Sequence, residues 1–320
     1  MVDAHDSKSC IARCESSSLS SGTMQKIIAI VGPTATGKSD LAVEIAKKVG
    51  GEIISADSRQ VYKWLDIGSG KITKKEMSNI KHYLLDVTDP RKERYTVADF
   101  SSDAKSAANT IISHNKIPII CGGTGFYIDT FLYDRQFPDV PPNQKLRKML
   151  SKKPSPALFK ILFKLDPARA KNIDPKNKLR IIRAIEVAKT LGKVPKQKSK
   201  AQFDALQIGL ILPPEILKQK IKTRLLKRMK GDALIREVRN LHKKGICWNR
   251  FYAFGLEYRY VALYLKNKIT RSEMVETLEK EIYQYAKRQI TWFKRDKHIK
   301  WFSPAQKNQI LATVQKFLKK

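Results

Sequence analysis

One short segment constrains this chain more than any other, because its pattern requires a strand before it and a helix after it. Residues 32–39 match G-x-x-x-x-G-K-[ST] and lie between an apolar, β-branched run at residues 27–31 and a helical pattern at residues 40–49. Such a loop, the P-loop, cradles a di- or triphosphate with backbone N–H groups at the start of a helix. The residues predicted to bind the phosphates are Gly32, Pro33, Thr34, Ala35, Thr36, Gly37, Lys38 and Ser39.

Two side chains of the P-loop are expected to act on the bound phosphates. Lys38 would contact the terminal oxygens, and the hydroxyl of Ser39 would ligate Mg²⁺. The alternative is a glycine turn with an incidental lysine, which the strand and helix on either side disfavour.

The segments around the P-loop predict an α/β fold with a doubly wound parallel sheet as its core. Further strands are expected at residues 52–56, 117–121 and 206–212, and helical patterns lie between them. In such a sheet the ligands bind at the carboxyl ends of the strands.

Changes in composition divide the chain into four parts. Residues 1–23 are serine-rich and are predicted to be a disordered extension, and residues 24–135 form the first part of the P-loop core. Residues 136–200 are predicted to be a basic helical insertion, since residues 143–200 hold eighteen Lys and Arg against three acids. Residues 201–320 return to the core and continue as C-terminal helices.

The charge of the chain indicates a polyanionic partner. Sixty-three Lys and Arg against thirty Asp and Glu give a net charge of +33 at pH 7. No apolar run is long enough for a membrane span, so RNA or DNA is favoured over a lipid surface. A solvated lysine-rich surface without a partner is the alternative.

Four cysteines are too few and too scattered for a disulfide framework in a chain of this length. We therefore expect a reducing, cytoplasmic location. Cys10 and Cys14 have the spacing of half a metal site, but no second Cys/His pair follows them, so a structural zinc ion is not expected.

Two polar residues stand where predicted strands end at the edge of the sheet. Asp57 follows the second strand and is placed to act as a general base, although an indirect Mg²⁺ contact or a helix N-cap would also suit it. Thr124, in the glycine-rich turn after the strand at residues 117–121, could donate its hydroxyl to the phosphates or be an ordinary turn residue.

Six blocks of sequence together resemble the tRNA dimethylallyltransferase (tRNA isopentenyltransferase) family. They are the P-loop, SADSRQ at residues 55–60, DIG at 66–68, GGTG at 122–125, RIIRAIE at 180–186 and AKRQITWF at 286–293. The blocks follow the order of the family from about residue 24 to residue 302.

The resemblance implies that the P-loop holds the diphosphate of dimethylallyl diphosphate. The prenyl group would move to the N6 amine of the adenosine just 3′ of the tRNA anticodon. Asp57 would accept the N6 proton, while Lys38, Thr124 and Arg224 would stabilise the departing diphosphate together with Mg²⁺ held partly by Ser39. The target base, stacked in a loop, would be flipped into a channel.

The resemblance also implies a set of tRNA contacts. The expected residues are Asp57, Ser58, Arg59, Gln60, Arg180, Arg183, Tyr258, Arg259, Lys287, Arg288, Gln289, Trp292 and Lys294. Residues 255–259 read GLEYR where many members have Gly-Tyr-Lys/Arg-Glu, and a one-residue insertion makes Arg228 an alternative to Arg224. A solvated helix face with Trp292 in the core is the alternative for residues 287–294.

Three other functions compete with tRNA prenylation. They are an adenylate isopentenyltransferase acting on free nucleotide, a P-loop nucleoside kinase and a non-catalytic RNA-binding NTPase. The basic insertion and the C-terminal blocks argue against the first. We expect a cytoplasmic monomer whose partners are the tRNA anticodon stem-loop and dimethylallyl diphosphate, without a membrane.

Overall fold

The computed structural model describes residues 24–92, 94–195 and 200–320. The predicted disordered extension, with Cys10 and Cys14, lies outside these residues. The strands are β1 (Lys26–Val31), β2 (Gly51–Ala56), β3 (His82–Tyr83), β4 (Ile117–Gly122), β5 (Asp204–Leu210) and β6 (Lys300–Phe302). The longer helices of the first 200 residues are α1 (Lys38–Val49), α3 (Val97–Ser113), α4 (Gly125–Leu132), α5 (Gln144–Ser151), α6 (Ser155–Leu165) and α8 (Lys178–Leu191), with the short helices α2 (Lys74–Met77) and α7 (Pro167–Lys171) among them. The C-terminal helices are α9 (Pro214–Met229), α10 (Ala233–Lys243), α11 (Trp248–Phe254), α12 (Leu256–Leu265), α13 (Arg271–Phe293) and α14 (Lys307–Lys319).

The strand that leads into the P-loop lies inside the sheet. The strands are ordered β3-β2-β4-β1-β5-β6, and the pairings are parallel. Ile30 of β1 is level with Cys121 of β4 on one side and with Ile208 of β5 on the other. The P-loop therefore leaves the carboxyl edge of the sheet with a paired strand on each side.

The side chains of β1 alternate between two hydrophobic layers. Ile28 and Ile30 pack in a layer with α1 and α14. Ile27 and Ala29 point the other way and pack with α3 and α4. Since helices cover both faces of a parallel sheet, the predicted α/β fold is confirmed.

Two edge strands and one strand boundary differ from the sequence prediction. β3 and β6 have two and three residues, too few for a periodic pattern to show. The strand expected at residues 206–212 runs instead over Asp204–Leu210, because Asp204 already pairs with Lys26 of β1.

Helices α5 to α8 leave the sheet between α4 and β5 and enclose a small core of their own. Leu158, Leu162, Ile181 and Ile185 are fully buried within it. These four helices lie within the bounds of the expected insertion at residues 136–200.

The C-terminal helices α9 to α13 pack over the segment that follows β2. Their core includes Leu225, Val238 and Leu278, and it continues onto Val61 and Leu65. This packing places α9, α12 and α13 beside the carboxyl edge of the sheet. In the ranges that the structure describes, no helix has the length and apolarity needed to cross a membrane.

Candidate active site

The P-loop is pressed against β5 at its first residue. A Cβ atom on Gly32 would lie 2.5 Å from the carbonyl oxygen of Leu210, and the φ of Gly32 is 136°, so a side chain is excluded there. Lys38 folds back over the loop, where its Nζ donates to the carbonyl oxygen of Pro33. Burial, with repulsion from Arg224, lowers the pKa of Lys38 to about 8. A phosphate taking the place of the carbonyl would favour the charged lysine.

A cavity of about 360 Å³ opens beside the P-loop at the carboxyl edge of the sheet. One side is formed by the P-loop and by the turn at residues 57–60, which follows β2. The other side is formed by the loop at residues 68–70 and by side chains of α9, α12 and α13. The cavity is therefore formed jointly by loops at the ends of the strands and by the C-terminal helices.

Asp57 lines this cavity at the end of β2. Its Oδ1 accepts the backbone N–H groups of Arg59 at 2.8 Å and Gln60 at 3.4 Å, so this oxygen holds a turn. Residues 58–61 form that turn and not a helix, which removes the N-cap alternative. Tyr285 of α13 lines the same cavity, and burial, followed by the charge of Asp57, raises the pKa of its hydroxyl to about 12.

Two arginines of α9 reach the cavity but have different partners. Arg224 donates from Nη1 to the hydroxyl of Thr34 at 3.2 Å and from Nη2 to the carbonyl of Gly70 at 3.3 Å. Arg228 donates to Glu257 at 2.9 Å, an ion pair in which both side chains are mostly buried. Burial, with repulsion from Arg228, lowers the pKa of Arg224 to about 10. Arg224 is therefore the arginine that contacts the P-loop.

Glu237 of α10, which belongs to none of the sequence motifs, holds the loop that contacts these arginines. Its carboxylate accepts the backbone N–H groups of Asp66, Ile67 and Gly68 and the hydroxyl of Tyr258. Burial raises the pKa of Glu237. The helical spacing of the sequence could have indicated this residue. Glu237 lies three residues after the buried Leu234 and four before the buried Leu241, so it shares their face of the helix.

Tyr258 is 1% exposed, although it was expected to contact tRNA. Its hydroxyl donates to Glu237 at 2.9 Å and accepts the N–H of Ser69 at 3.1 Å. A Cβ atom on Gly68 would lie 2.6 Å from its ring. The structure thus places Tyr258 beneath the loop at residues 66–70.

Thr124 precedes α4 and contacts the turn that carries Asp57. Its Oγ1 accepts the backbone N–H of Ser58 at 3.1 Å, and its own N–H donates to the carbonyl of Ala56. The expected contact of its hydroxyl with the diphosphate stays a prediction.

Two further expected tRNA contacts on α13 have internal hydrogen bonds. Gln289 is 6% exposed and bonds to the backbone of Thr34 and Gly123. Trp292 is partly buried and donates from Nε1 to Asp129 at 3.2 Å.

The remaining expected tRNA residues divide between the cavity and the surface. Those that line the cavity are Ser58, Arg59, Gln60, Arg259 and Arg288. Arg59 donates from Nε to the carbonyl of Phe254 at 2.6 Å, at the end of α11. Lys287, Lys294 and Arg180 are exposed outside the cavity lining.

Arg183 of α8 lies in the insertion and is bonded within it. Its guanidinium donates to the carboxylate of Glu186 and to the carbonyl of Val140. Glu186 is 1% exposed and also accepts from Arg147. Burial alone would raise the pKa of Glu186, but the hydrogen bonds from the two arginines lower it.

The residue expected to hold Mg²⁺, Ser39, is exposed at the start of α1 and lines the cavity. Across residues 24–92, 94–195 and 200–320, no group of three or more His, Cys, Asp or Glu side chains could hold a metal ion by itself. A hydroxyl beside a diphosphate fits Mg²⁺, which is usually bound jointly by protein oxygens, substrate phosphates and water.

Comparison with known proteins gives a consistent result for this chain. Residues 60–296 match the family model described as IPP transferase. The chain is 43% identical to tRNA dimethylallyltransferase 2 of Treponema denticola over 84% of this chain and 91% of the relative. It is 40% identical to the tRNA dimethylallyltransferase of a Thermoanaerobacter species over 87% of this chain and 91% of that protein.

Solved structures agree with the sequence matches. The full-length tRNA isopentenylpyrophosphate transferase of Bacillus halodurans aligns with a TM-score of 0.70 and 32% identity, over 92% of this chain and 97% of that one. A eukaryotic dimethylallyltransferase acting on tRNA aligns with a TM-score of 0.80 and 26% identity, over 92% of this chain and 80% of that one. The chain belongs to the IPP transferase family, the tRNA dimethylallyltransferases.

Proposed function

We propose that this protein transfers the dimethylallyl group of dimethylallyl diphosphate to the N6 amine of the adenosine 3′ of the anticodon in tRNA. The observation that carries the proposal is that the P-loop lysine, Asp57 and Arg224 line one cavity. A diphosphate leaving group and a base for the amine proton are the two requirements of the reaction, and this cavity offers a group for each.

The leaving diphosphate is held by the P-loop in this proposal. Lys38 and Arg224 are both cationic groups at the loop, and charge-assisted hydrogen bonds from them stabilise the negative charge that develops on the departing oxygens. Ser39 holds Mg²⁺ together with the diphosphate. When bound, this ion neutralises part of the diphosphate charge.

Asp57 accepts the proton of the nucleophile. The exocyclic amine of adenine is a poor nucleophile because its lone pair is delocalised into the ring, so a positioned carboxylate assists the attack. Oδ1 is held by the turn at residues 57–60, and Oδ2 is assigned to the N6 proton. The bond between the prenyl carbon and the diphosphate oxygen breaks, the bond from N6 to that carbon forms, and diphosphate leaves.

The basic surface carries the RNA. The insertion at residues 136–200 grips the stem through phosphates, and exposed side chains such as Arg180, Lys287 and Lys294 add to these contacts. The target adenosine leaves its stack and enters the cavity, where Arg59 and Arg288 line the wall. We place the protein in the cytoplasm as a monomer.

The test uses an RNA anticodon stem-loop with adenosine 3′ of the anticodon and labelled dimethylallyl diphosphate. The stem-loop is expected to gain the mass of one dimethylallyl group, detected by mass spectrometry. The same strand in a continuous duplex is expected to stay unmodified, because its N6 amine is paired.

Free AMP and ATP serve as controls that separate the competing functions. Prenylation of AMP as efficient as that of the stem-loop would replace the tRNA assignment by an adenylate isopentenyltransferase. Transfer of the γ-phosphate of ATP to a nucleoside would indicate a kinase. Hydrolysis of ATP with unmodified RNA would indicate an RNA-binding NTPase.

A further inference from the structure

Two glycines, Gly123 in the turn after β4 and Gly125 at the first position of α4, each leave room for a side chain of α13. A Cβ atom on Gly123 would lie 2.2 Å from Nε2 of Gln289. A Cβ atom on Gly125 would lie 2.2 Å from Cδ1 of Trp292. Gln289 and Trp292 are three residues apart and therefore lie on one face of α13. Both side chains pack against the segment that holds the two glycines. Two sequence blocks separated by more than 150 residues, GGTG and AKRQITWF, therefore form one interface.

Gln289 uses both ends of its amide in this interface. Its Oε1 accepts the backbone N–H of Thr34 in the P-loop at 2.9 Å. Its Nε2 donates to the carbonyl of Gly123 at 2.8 Å. The amide therefore joins the P-loop to the turn after β4, and the side chain is 6% exposed.

Trp292 fixes the helix next to this bridge. Its indole N–H donates to Asp129 of α4 at 3.2 Å, and its ring meets Phe126 edge-on with centroids 6.1 Å apart. The guanidinium of Arg295 lies over the ring at 4.9 Å. These contacts restrict how α13 can shift or rotate relative to the turn.

We propose that Gln289 is a positioning residue of the diphosphate site, which sets the shape of the P-loop through Thr34, and that Trp292 anchors α13 so that the bridge forms. The inference rests on the proposed function, since it concerns the same diphosphate. Gln289, which was expected to contact tRNA, is thereby assigned to the binding of the diphosphate substrate.

Together with Arg224, the amide of Gln289 holds the P-loop at Thr34. Gln289 holds the N–H of Thr34, and Arg224 donates to its hydroxyl. A loop held in its binding shape loses less conformational freedom when the anion arrives, so its affinity is higher. The geometry of the cradle is thus set by two C-terminal helices, α9 and α13.

The experiment measures two affinities in each variant: Mg²⁺-pyrophosphate by calorimetry and the anticodon stem-loop by fluorescence anisotropy. Gln289→Met keeps the length of the side chain and removes both hydrogen bonds. We expect pyrophosphate affinity to fall about tenfold, as for buried backbone groups left without a partner, and stem-loop affinity to change less than about twofold. Gln284→Met, the same substitution at an exposed position of α13, is the matched control and should change neither affinity.

Gln289→Glu provides a second test that does not depend on the methionine variant folding. The ionised carboxylate can accept from Thr34 but cannot donate to Gly123, whereas the protonated carboxyl can do both, as the amide does. Burial beside a carbonyl raises the pKa of such a carboxyl. The defect in pyrophosphate affinity, relative to the parent at the same pH, should therefore shrink as the pH is lowered from 8 to about 5.

The outcomes separate this inference from the proposed function. If the parent protein fails to bind pyrophosphate, the proposed function fails first. If the parent binds and Gln289→Met binds within about twofold of Gln284→Met, only the positioning role is overturned. A fall in stem-loop affinity with intact pyrophosphate binding would restore Gln289 as an RNA contact. A Gln289→Glu variant that equals the parent at pH 8 would also overturn the role.

Discussion

Arg224 donates from Nη1 to the hydroxyl of Thr34 over 3.2 Å, across 190 positions of sequence. The same guanidinium reaches the carbonyl of Gly70, whose loop is held from behind by Glu237. The cationic wall opposite the P-loop is therefore positioned by a partly buried carboxylate that lies outside the cavity lining.

Replacing the two arginines of α9 should give two different defects. Arg224→Gln should weaken Mg²⁺-pyrophosphate binding by about tenfold or more, because charge-assisted hydrogen bonds to a phosphate are lost. Arg228→Gln should lower the free energy of unfolding by about 3 kcal/mol, since it leaves the mostly buried Glu257 without its partner. Calorimetry and thermal unfolding of both variants measure this. If only Arg228→Gln loses pyrophosphate affinity, the two roles must be exchanged.

The lowered pKa of Lys38 predicts how diphosphate affinity depends on pH. In the free protein its pKa is lowered to about 8, and a bound phosphate stabilises the ammonium and raises that pKa. Binding therefore takes up a proton above about pH 8, and affinity should fall by up to about tenfold per pH unit there. Lys38→Met should bind more weakly at neutral pH and lose this slope. A parent affinity that is flat between pH 8 and 10 would contradict the assignment.

Asp57→Asn should separate chemistry from binding. The asparagine oxygen can still accept the N–H of Arg59, so the turn should persist, but the amide cannot take a proton. Single-turnover transfer should slow by about a hundredfold or more, with both substrates still bound. A rate within about threefold of the parent would remove Asp57 from proton transfer.

The insertion offers a pair of arginines that are close in sequence and different in environment. Arg180 is exposed, and Arg180→Gln should reduce the slope of log affinity against log salt for the stem-loop by about one. Arg183→Gln should mainly destabilise the insertion, because Arg183 pairs with the buried Glu186. An unchanged slope in Arg180→Gln would place this side chain off the RNA. Thermal unfolding monitors the second variant.

The sequence was informative where structure depends on neighbouring residues. The strand, loop and helix around residues 26–49 are specified by local spacing, and so are the strands that end before Asp57 and Thr124. Since parallel strands present their carboxyl ends at one edge, the meeting of Asp57 with the P-loop also followed from the pattern.

The rest of the site depends on pairs that no local pattern connects. Hydrogen bonds join residues that are far apart in sequence, such as Glu237 with the loop at residues 66–68 and Gln289 with Thr34. Tyr258 has the residue type of an RNA contact, and only the packing on Gly68 reveals that it is buried. Long-range contacts of this kind decide which members of a motif face the ligand.

The pairing of β1 with β5 has a consequence for how the chain folds during its synthesis. During translation, β1 has an open edge until residues 204–210 emerge from the ribosome, and Gly32 lacks the backbone of Leu210 behind it until then. An unpaired apolar strand edge is a site of aggregation. A nascent chain that stops within the insertion therefore lacks both the strand that covers this edge and the backbone that Gly32 packs against.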